Sequence, residues 1–122
     1  MQRLLKLLLA AALAAPLAAP AAFAHAFLDH AVPGVGMTVS GPVRELRLYY
    51  TQGVVTAFSA VSVTSSAGGS IPASRPVNDP SDQQTVIVHL GRALGPGSYT
   101  VNWRVLSVDT HTTTGTFHFT VS

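Results

Sequence analysis

Apolar and polar residues alternate with a period of two in short runs throughout residues 25–122, and no run keeps the 3.6-residue period of an amphipathic helix. Successive side chains of a strand point to opposite faces, so this alternation predicts strands with one buried face. Turn-forming residues separate the runs, most clearly at Gly95-Pro96-Gly97. The sequence therefore predicts an all-β fold.

About seven short strands in roughly 100 residues are typical of a two-sheet Greek-key sandwich of the immunoglobulin-like type. In the clearest predicted strand, Tyr99, Val101 and Trp103 share one face. Further turns are expected at Gly68-Gly69 and Asn78-Asp79-Pro80. The predicted strands include an opening segment at 26–30 and the runs 46–50, 61–63, 86–90, 99–105 and 117–121.

Residues 1–24 differ in kind from the rest of the chain. Arg3 and Lys6 accompany an apolar run over residues 7–17, and small residues close the segment at 22–24. This pattern is typical of a secretory signal peptide, because the apolar run is shorter than the roughly 20 residues that span a bilayer. We therefore expect a signal peptide at 1–24 and one periplasmic domain at 25–122.

The charges of residues 25–122 balance. Of the seven basic residues, Arg3 and Lys6 belong to the leader, and five arginines face five acidic residues in the remainder. This balance disfavours nucleic acid and anionic membrane surfaces as partners, and no later apolar run has the length of a membrane span. The chain has no cysteine, so burial alone must stabilise it. We expect a soluble monomer that does not insert into a membrane.

The available side chains restrict the metals that the chain can bind. Met37 is the only methionine outside the leader, and a blue-copper centre is excluded because it needs a thiolate. Nitrogen and oxygen ligands suit Cu(II) in tetragonal geometry, with Zn(II) and Ni(II) as competitors. The candidate nitrogen ligands are His25, His30, His89, His111 and His118.

His25 would become the first residue of the processed chain. Its α-amine would then be free to close a chelate ring on a metal together with its own imidazole. Because such an amine has a pKa of about 8, a metal must displace its proton, and binding weakens at lower pH. A histidine can also follow a cleavage site by accident, and this residue alone leaves both interpretations open.

Asp109 and His111 lie two residues apart, just before the last predicted strand. In extended backbone, residues i and i+2 project to the same side, so the carboxylate and the imidazole can bind one metal together with His25. The alternative is a polar loop in which Asp109 forms an Asx turn and His111 is simply exposed.

The other three histidines are weaker candidates. His89 and His118 alternate outward on their predicted strands, so we expect them to be solvated. His30 either approaches the site from the first strand or lies exposed at its end.

Several segments taken together resemble the CopC family of periplasmic copper-binding proteins. They are 58–63, the Gly-x-Tyr-x-Val-x-Trp-x-Val stretch within 94–105, and the Ser-x-Asp-x-His-x-x-x-Gly stretch within 107–117. The resemblance spans nearly all of residues 25–122 and implies an immunoglobulin-like, also called cupredoxin-like, sandwich. It also implies that Cu(II) is bound by the α-amine and imidazole of His25, by Asp109 and by His111.

Three departures from the family pattern limit what the resemblance implies. The methionine-rich segment that some members use for Cu(I) is not present. Where many members read Phe-Ser-Glu-Pro after the second strand, this chain reads Tyr50-Thr51-Gln52-Gly53. That difference leaves open whether residues 50–53 contribute to a site. The Thr112-Thr113-Thr114 stretch replaces a proline that is common after the histidine.

The resemblance implies a Cu(II)-binding protein of copper resistance or homeostasis, which sequesters copper or delivers it to a CopD-like inner-membrane copper transport protein, without catalysis. Two alternatives stay open. An N-terminal histidine chelate with a second histidine resembles the histidine brace of copper oxygenases, although Asp109 would occupy a position that oxygen needs. The second alternative is a metal-free immunoglobulin-like binding module.

Overall fold

The structure, a computed structural model, describes residues 25–122, and the predicted signal peptide at 1–24 lies outside the described residues. Within 25–122, no helix is long and apolar enough to cross a membrane. The described chain forms strands and one 3₁₀ turn at Thr56–Phe58. The strands are β1 (Leu28–Val32), β2 (Thr38–Val39), β3 (Val43–Tyr50), β4 (Ala60–Ser65), β5 (Ser70–Ile71), β6 (Val77–Asp79), β7 (Asp82–Leu94), β8 (Gly97–Leu106) and β9 (Thr112–Val121).

These strands form two sheets packed face to face. The first sheet has the order β1-β3-β7-β6, and the second has the order β2-β9-β8-β4-β5. β2 runs parallel to β9, and the remaining neighbours are antiparallel. The chain changes sheets five times, after β1, β2, β3, β5 and β7, as expected of a Greek-key sandwich. The predicted all-β sandwich is confirmed.

The described residues form more strands than the sequence predicted, because some strands are too short to show a pattern. β2 and β5 contain two residues each and β6 contains three. Alternation becomes recognisable only over four or more residues. Asn78 and Asp79, which we expected in a turn, belong to β6, and the turn to β7 is formed by Pro80 and Ser81. The predicted run 99–105 lies entirely within β8.

Aromatic side chains join the two inner faces. Tyr50 of β3 meets Trp103 of β8 edge-on, with ring centroids 5.3 Å apart, and this pair crosses between the sheets. Tyr99 stacks on Phe119 within the second sheet at 5.5 Å. Such pairs contribute about 0.5–1.5 kcal/mol beyond the burial of their area. The Tyr99 hydroxyl also donates a hydrogen bond to the Gly95 carbonyl at 2.8 Å, which holds the turn between β7 and β8.

Trp103 lies directly on the backbone of Gly115 in β9. A Cβ atom added at Gly115 would stand 2.3 Å from Cζ2 and 2.5 Å from Cε2 of the indole. The indole is only 8% exposed, so it cannot retreat without opening the core. Glycine is required here because of this close approach.

We predict that Gly115→Ala destabilises the fold by about 1–3 kcal/mol, because the added methyl group overpacks the core beneath the indole. Denaturant unfolding followed by tryptophan fluorescence measures this change. Gly69→Ala is the matched control, since no atom lies within 4 Å of a Cβ built there. The control should stay within about 0.5 kcal/mol of the parent protein. Equal stabilities for the two variants would contradict the packing argument.

Candidate metal centre

One end of the sandwich gathers side chains that lie far apart in the sequence. His25 lies three residues before β1, whereas Asp109 and His111 lie in the loop between β8 and β9. One candidate ligand atom from each of the three lies within 4.8 Å of the others. Within residues 25–122, this is the only group of three or more metal-ligating side chains that approach so closely. The structure thus brings together the three residues that the sequence predicted as ligands.

The Asp109 carboxylate lies close to both imidazoles. Its Oδ2 atom is 3.8 Å from His25 Nδ1 and 3.5 Å from His111 Nδ1. The two imidazole centroids are 4.5 Å apart, and the rings are tilted by 57°. The side chains of His25, Asp109 and His111 are 32%, 29% and 49% exposed, so solvent reaches the cluster.

The loop that carries two of these residues is a turn rather than extended backbone. The Thr110 N–H donates to the Ser107 carbonyl at 2.9 Å, which closes a four-residue turn. Thr110 itself has a φ of 71°, in the left-handed region. The Asp109 carboxylate accepts the His111 N–H at 3.3 Å, as in an Asx turn. Our expectation that extended i, i+2 geometry aligns Asp109 and His111 was therefore wrong, and the turn brings them together instead.

Ser107 organises this turn from inside the protein, where it is only 1% exposed. Its hydroxyl contacts the Asp109 carboxylate and lies 3.0 Å from the His111 carbonyl oxygen. The hydrogen bond from Ser107 is the main reason that the pKa of Asp109 lies below its ordinary value, and the His111 N–H and imidazole add to this while desolvation opposes it. The carboxylate is therefore ionised at neutral pH, which is the form that binds a metal.

Two threonines hold the segment that carries His25. The Thr51 hydroxyl accepts a hydrogen bond from the Phe27 N–H at 3.0 Å and donates one to the His25 carbonyl at 3.1 Å. The Thr113 hydroxyl donates to the Ala26 carbonyl at 2.7 Å. Sequence reasoning missed Ser107, Thr51 and Thr113, because nothing in their own residue types separates them from the many other hydroxyl side chains of the chain.

The remaining histidines lie outside this cluster. The His30 imidazole is paired with the Asp29 carboxylate at 2.7 Å and stacks on Tyr49 with centroids 4.2 Å apart. His118 is exposed on β9 and hydrogen bonds the hydroxyl of Thr100 at 2.9 Å. His89 of β7 is exposed as well, with its imidazole 3.6 Å from a Glu45 carboxylate oxygen.

Residues 50–53 support the cluster through backbone and hydroxyl groups. Tyr50 belongs to the core, and Thr51 holds the His25 segment as described. The Gly53 carbonyl accepts the Val108 N–H at 2.9 Å, which ties this segment to the ligand-bearing loop. The Gln52 side-chain oxygen is buried and has no hydrogen-bond partner.

The donor set fits a borderline divalent metal. Two imidazoles and one carboxylate suit Cu(II), Zn(II) or Ni(II), whereas Cu(I) prefers thiolate and thioether ligands. In the full-length chain the nitrogen of His25 belongs to a peptide bond, and it becomes an amine only when the chain is cleaved before that residue.

Fold and site together define a class, a small immunoglobulin-like β-sandwich with a nitrogen and oxygen ligand cluster at one end. The CopC domain family matches residues 28–122, and the chain belongs to this family. Protein YobA of Escherichia coli K12 is 36% identical over 99 residues, which are 81% of this chain and 80% of that protein. Copper resistance protein C of Escherichia coli is 29% identical over 104 residues, which are 80% of this chain and 82% of that protein.

Two solved structures share the fold. The crystal structure of CopC from Methylosinus trichosporium OB3b has a TM-score of 0.74 and 30% identity, covering 80% of this chain and 94% of that one. PcoC, a methionine-rich copper resistance protein from Escherichia coli, has a TM-score of 0.73 and 26% identity, covering 81% of this chain and all of that one.

We predict that Ser107→Ala raises the pKa of Asp109 toward the ordinary aspartate value, because the main hydrogen bond to the ionised carboxylate is lost. A carboxyl-carbon NMR titration of the metal-free protein measures this pKa. With its lowered folded-state pKa, ionised Asp109 stabilises the fold above the unfolded value of about 3.9, and this contribution is lost as the pH falls through the folded value. The free energy of unfolding of Ser107→Ala should therefore depend less on pH in this range than that of the parent protein.

The exposed Ser62 on β4 provides the matched control for this titration. Ser62→Ala also removes a hydroxyl, but at a position remote from the turn, and should leave the titration of Asp109 unchanged. An unchanged titration in Ser107→Ala as well would show that Ser107 does not control this carboxylate.

Proposed function

We propose that this protein is exported to the periplasm and binds one Cu(II) ion through His25, Asp109 and His111. Its role is copper resistance or homeostasis, in which it sequesters the ion or delivers it to a CopD-like inner-membrane copper transport protein. The observation that carries this proposal is the convergence of the three side chains within 4.8 Å at one end of a rigid sandwich.

The choice of copper is supported by two independent arguments. Relatives that align with most of the chain are named copper resistance protein C, in Escherichia coli and in Pseudomonas syringae pv. tomato. The ligand chemistry points the same way, because among divalent first-row metals Cu(II) binds nitrogen and oxygen ligands most tightly.

Removal of residues 1–24 would complete the site. His25 then supplies its α-amine and its imidazole to the same ion, and Asp109 and His111 bring the set to four nitrogen and oxygen ligands. The amine must lose its proton to bind, so copper binding weakens as the solution is acidified below its pKa of about 8.

Binding rather than turnover is supported by the position of Asp109. Its carboxylate lies within 4 Å of both imidazoles, so it would occupy a coordination position on a shared ion. An oxygenase needs such a position for oxygen. Oxidation of a polysaccharide driven by peroxide, and abolished by His25→Ala, would overturn this part of the proposal.

We predict that protein beginning at His25 binds one Cu(II) tightly and gives the electron paramagnetic resonance spectrum of a tetragonal nitrogen and oxygen site. Residues 25–122 contain every described strand, so this processed form retains the whole fold. One additional alanine before His25 should weaken binding and change the spectrum, because the chelating amine becomes a peptide nitrogen. Asp109→Asn and His111→Ala should each weaken binding without changing the fold.

His118→Ala is the control for nonspecific imidazole binding, since His118 lies on the outer face of the second sheet. It should bind Cu(II) as the parent protein does. If neither the processed nor the extended protein binds Cu(II) tightly, the copper proposal is wrong, and a metal-free binding module becomes the better interpretation.

We also predict that reduction to Cu(I) weakens binding strongly. Met37 is the only methionine of residues 25–122, and its backbone carbonyl accepts the Thr120 N–H near the end of β9. The ligand cluster lies at the opposite end, before the start of that strand. At about 3.4 Å per residue, Met37 is roughly 25–30 Å from the cluster and cannot supply a thioether. Competition with a Cu(I) chelator measures the loss, and equal retention of both oxidation states would contradict it.

A further inference from the structure

The segment that carries His25 is held by hydrogen bonds from Thr51, which directly follows β3, and from Thr113 of β9, and Thr51 makes most of them. The Thr51 hydroxyl accepts the Phe27 N–H at 3.0 Å and donates to the His25 carbonyl at 3.1 Å. The backbone N–H of Thr51 donates to the Phe27 carbonyl at 2.9 Å. A single residue at the end of β3 therefore contacts the backbone on both sides of Ala26.

The second sheet holds the same segment through Thr113 of β9. Its hydroxyl donates to the Ala26 carbonyl at 2.7 Å. Ala26 itself is fully buried, with an exposure of 0%, and belongs to the core cluster. Residues 25–27 are thus fastened between the sheets, although they precede the first residue of β1.

Residues just before a first strand usually fray, because no strand ladder holds them. Ordering the backbone of one residue costs about 1–2 kcal/mol, and a metal that had to order this segment would bind more weakly by that amount. Phe27 is 56% exposed, whereas the His25 side chain is 32% exposed and its ring lies 4.5 Å from that of His111. The hydrogen bonds from Thr51 and Thr113 order the backbone of this segment in addition to such contacts.

We propose that Thr51 is a positioning residue for the metal centre and that it acts through its hydroxyl. It orders the His25 backbone before copper arrives and so directs the α-amine and imidazole toward Asp109 and His111. This inference rests on the proposed function. Thr51 is assigned this role ahead of Thr113 because its hydroxyl donates directly to the carbonyl of His25 and also accepts the N–H of Phe27.

The test compares Thr51→Val with Thr51→Ser in protein that begins at His25. Valine keeps the branched shape and removes the hydroxyl, whereas serine keeps the hydroxyl. We expect Thr51→Val to lower the Cu(II) affinity about tenfold, with the same set of ligands in the electron paramagnetic resonance spectrum. Thr51→Ser should restore the affinity to within about threefold of the parent. Tenfold corresponds to about 1.4 kcal/mol, close to the net contribution of one or two such hydrogen bonds.

A second measurement needs no metal. Hydrogen exchange of the Phe27 amide reports the bond to the Thr51 hydroxyl, and in the copper-free protein it should become about tenfold faster in Thr51→Val but not in Thr51→Ser. Thr100→Val is the matched control, because Thr100 also hydrogen bonds a histidine but on the outer face of the second sheet. It should leave both the exchange rate and the copper affinity unchanged. If Thr51→Val does not fold, Thr51→Ala replaces it with the same expectations.

The outcomes separate the two proposals. If the parent protein fails to bind Cu(II), the proposed function fails, while the exchange rate of Phe27 still tests whether Thr51 orders the segment. If the parent binds and Thr51→Val binds equally well, the positioning role is overturned. Loss of affinity in both Thr51→Val and Thr51→Ser, with Phe27 exchange unchanged, also overturns it, because the hydroxyl would then not be the group responsible.

Discussion

Antiparallel pairing determines which parts of this chain meet. Because β1 and β3 run antiparallel, with Leu28 beside Tyr50, the residues before β1 lie next to the residues after β3. β8 and β9 pair in the same way from Leu106 and Thr112 onward, so the loop between them lies at one end of the second sheet. Because the two sheets pack face to face, these ends lie next to each other. The candidate metal centre is therefore a consequence of strand register, and its ligands need no contiguous motif.

The fold also prepares the ligands before an ion arrives. Asp109 is held in its charged form by Ser107, which is itself buried beneath the turn. The His25 carbonyl accepts a hydrogen bond from Thr51, which follows β3, and the neighbouring Ala26 carbonyl accepts one from Thr113 of β9. Preorganisation of this kind reduces the ordering cost of binding, so a site with few ligands can still bind tightly. The supporting groups are hydroxyls that lie in or beside the ends of strands, at Thr51, Ser107 and Thr113.

The sequence predicted the parts of the fold that depend on long regular patterns. β8 and β9 alternate over ten residues each, so their faces could be read directly. β2 and β5 could not be predicted, because two residues carry no period and their pairing depends on the partner strand. For the site, residue type and spacing made His25 and the Asp-x-His pair candidates only, the resemblance to the CopC family selected them, and their geometry could not be predicted. Thr110 in this turn has a φ of 71°. This conformation is unusual for a β-branched residue, so the turn could not be predicted from the sequence.

Residues 50–53 contact both halves of the ligand cluster. The Thr51 hydroxyl contacts the His25 segment. At Gly53, a Cβ would stand 3.0 Å from Cγ1 of Val108 in the ligand-bearing loop. The glycine thus lets its carbonyl approach and accept the Val108 N–H. The segment therefore supports both halves of the ligand cluster.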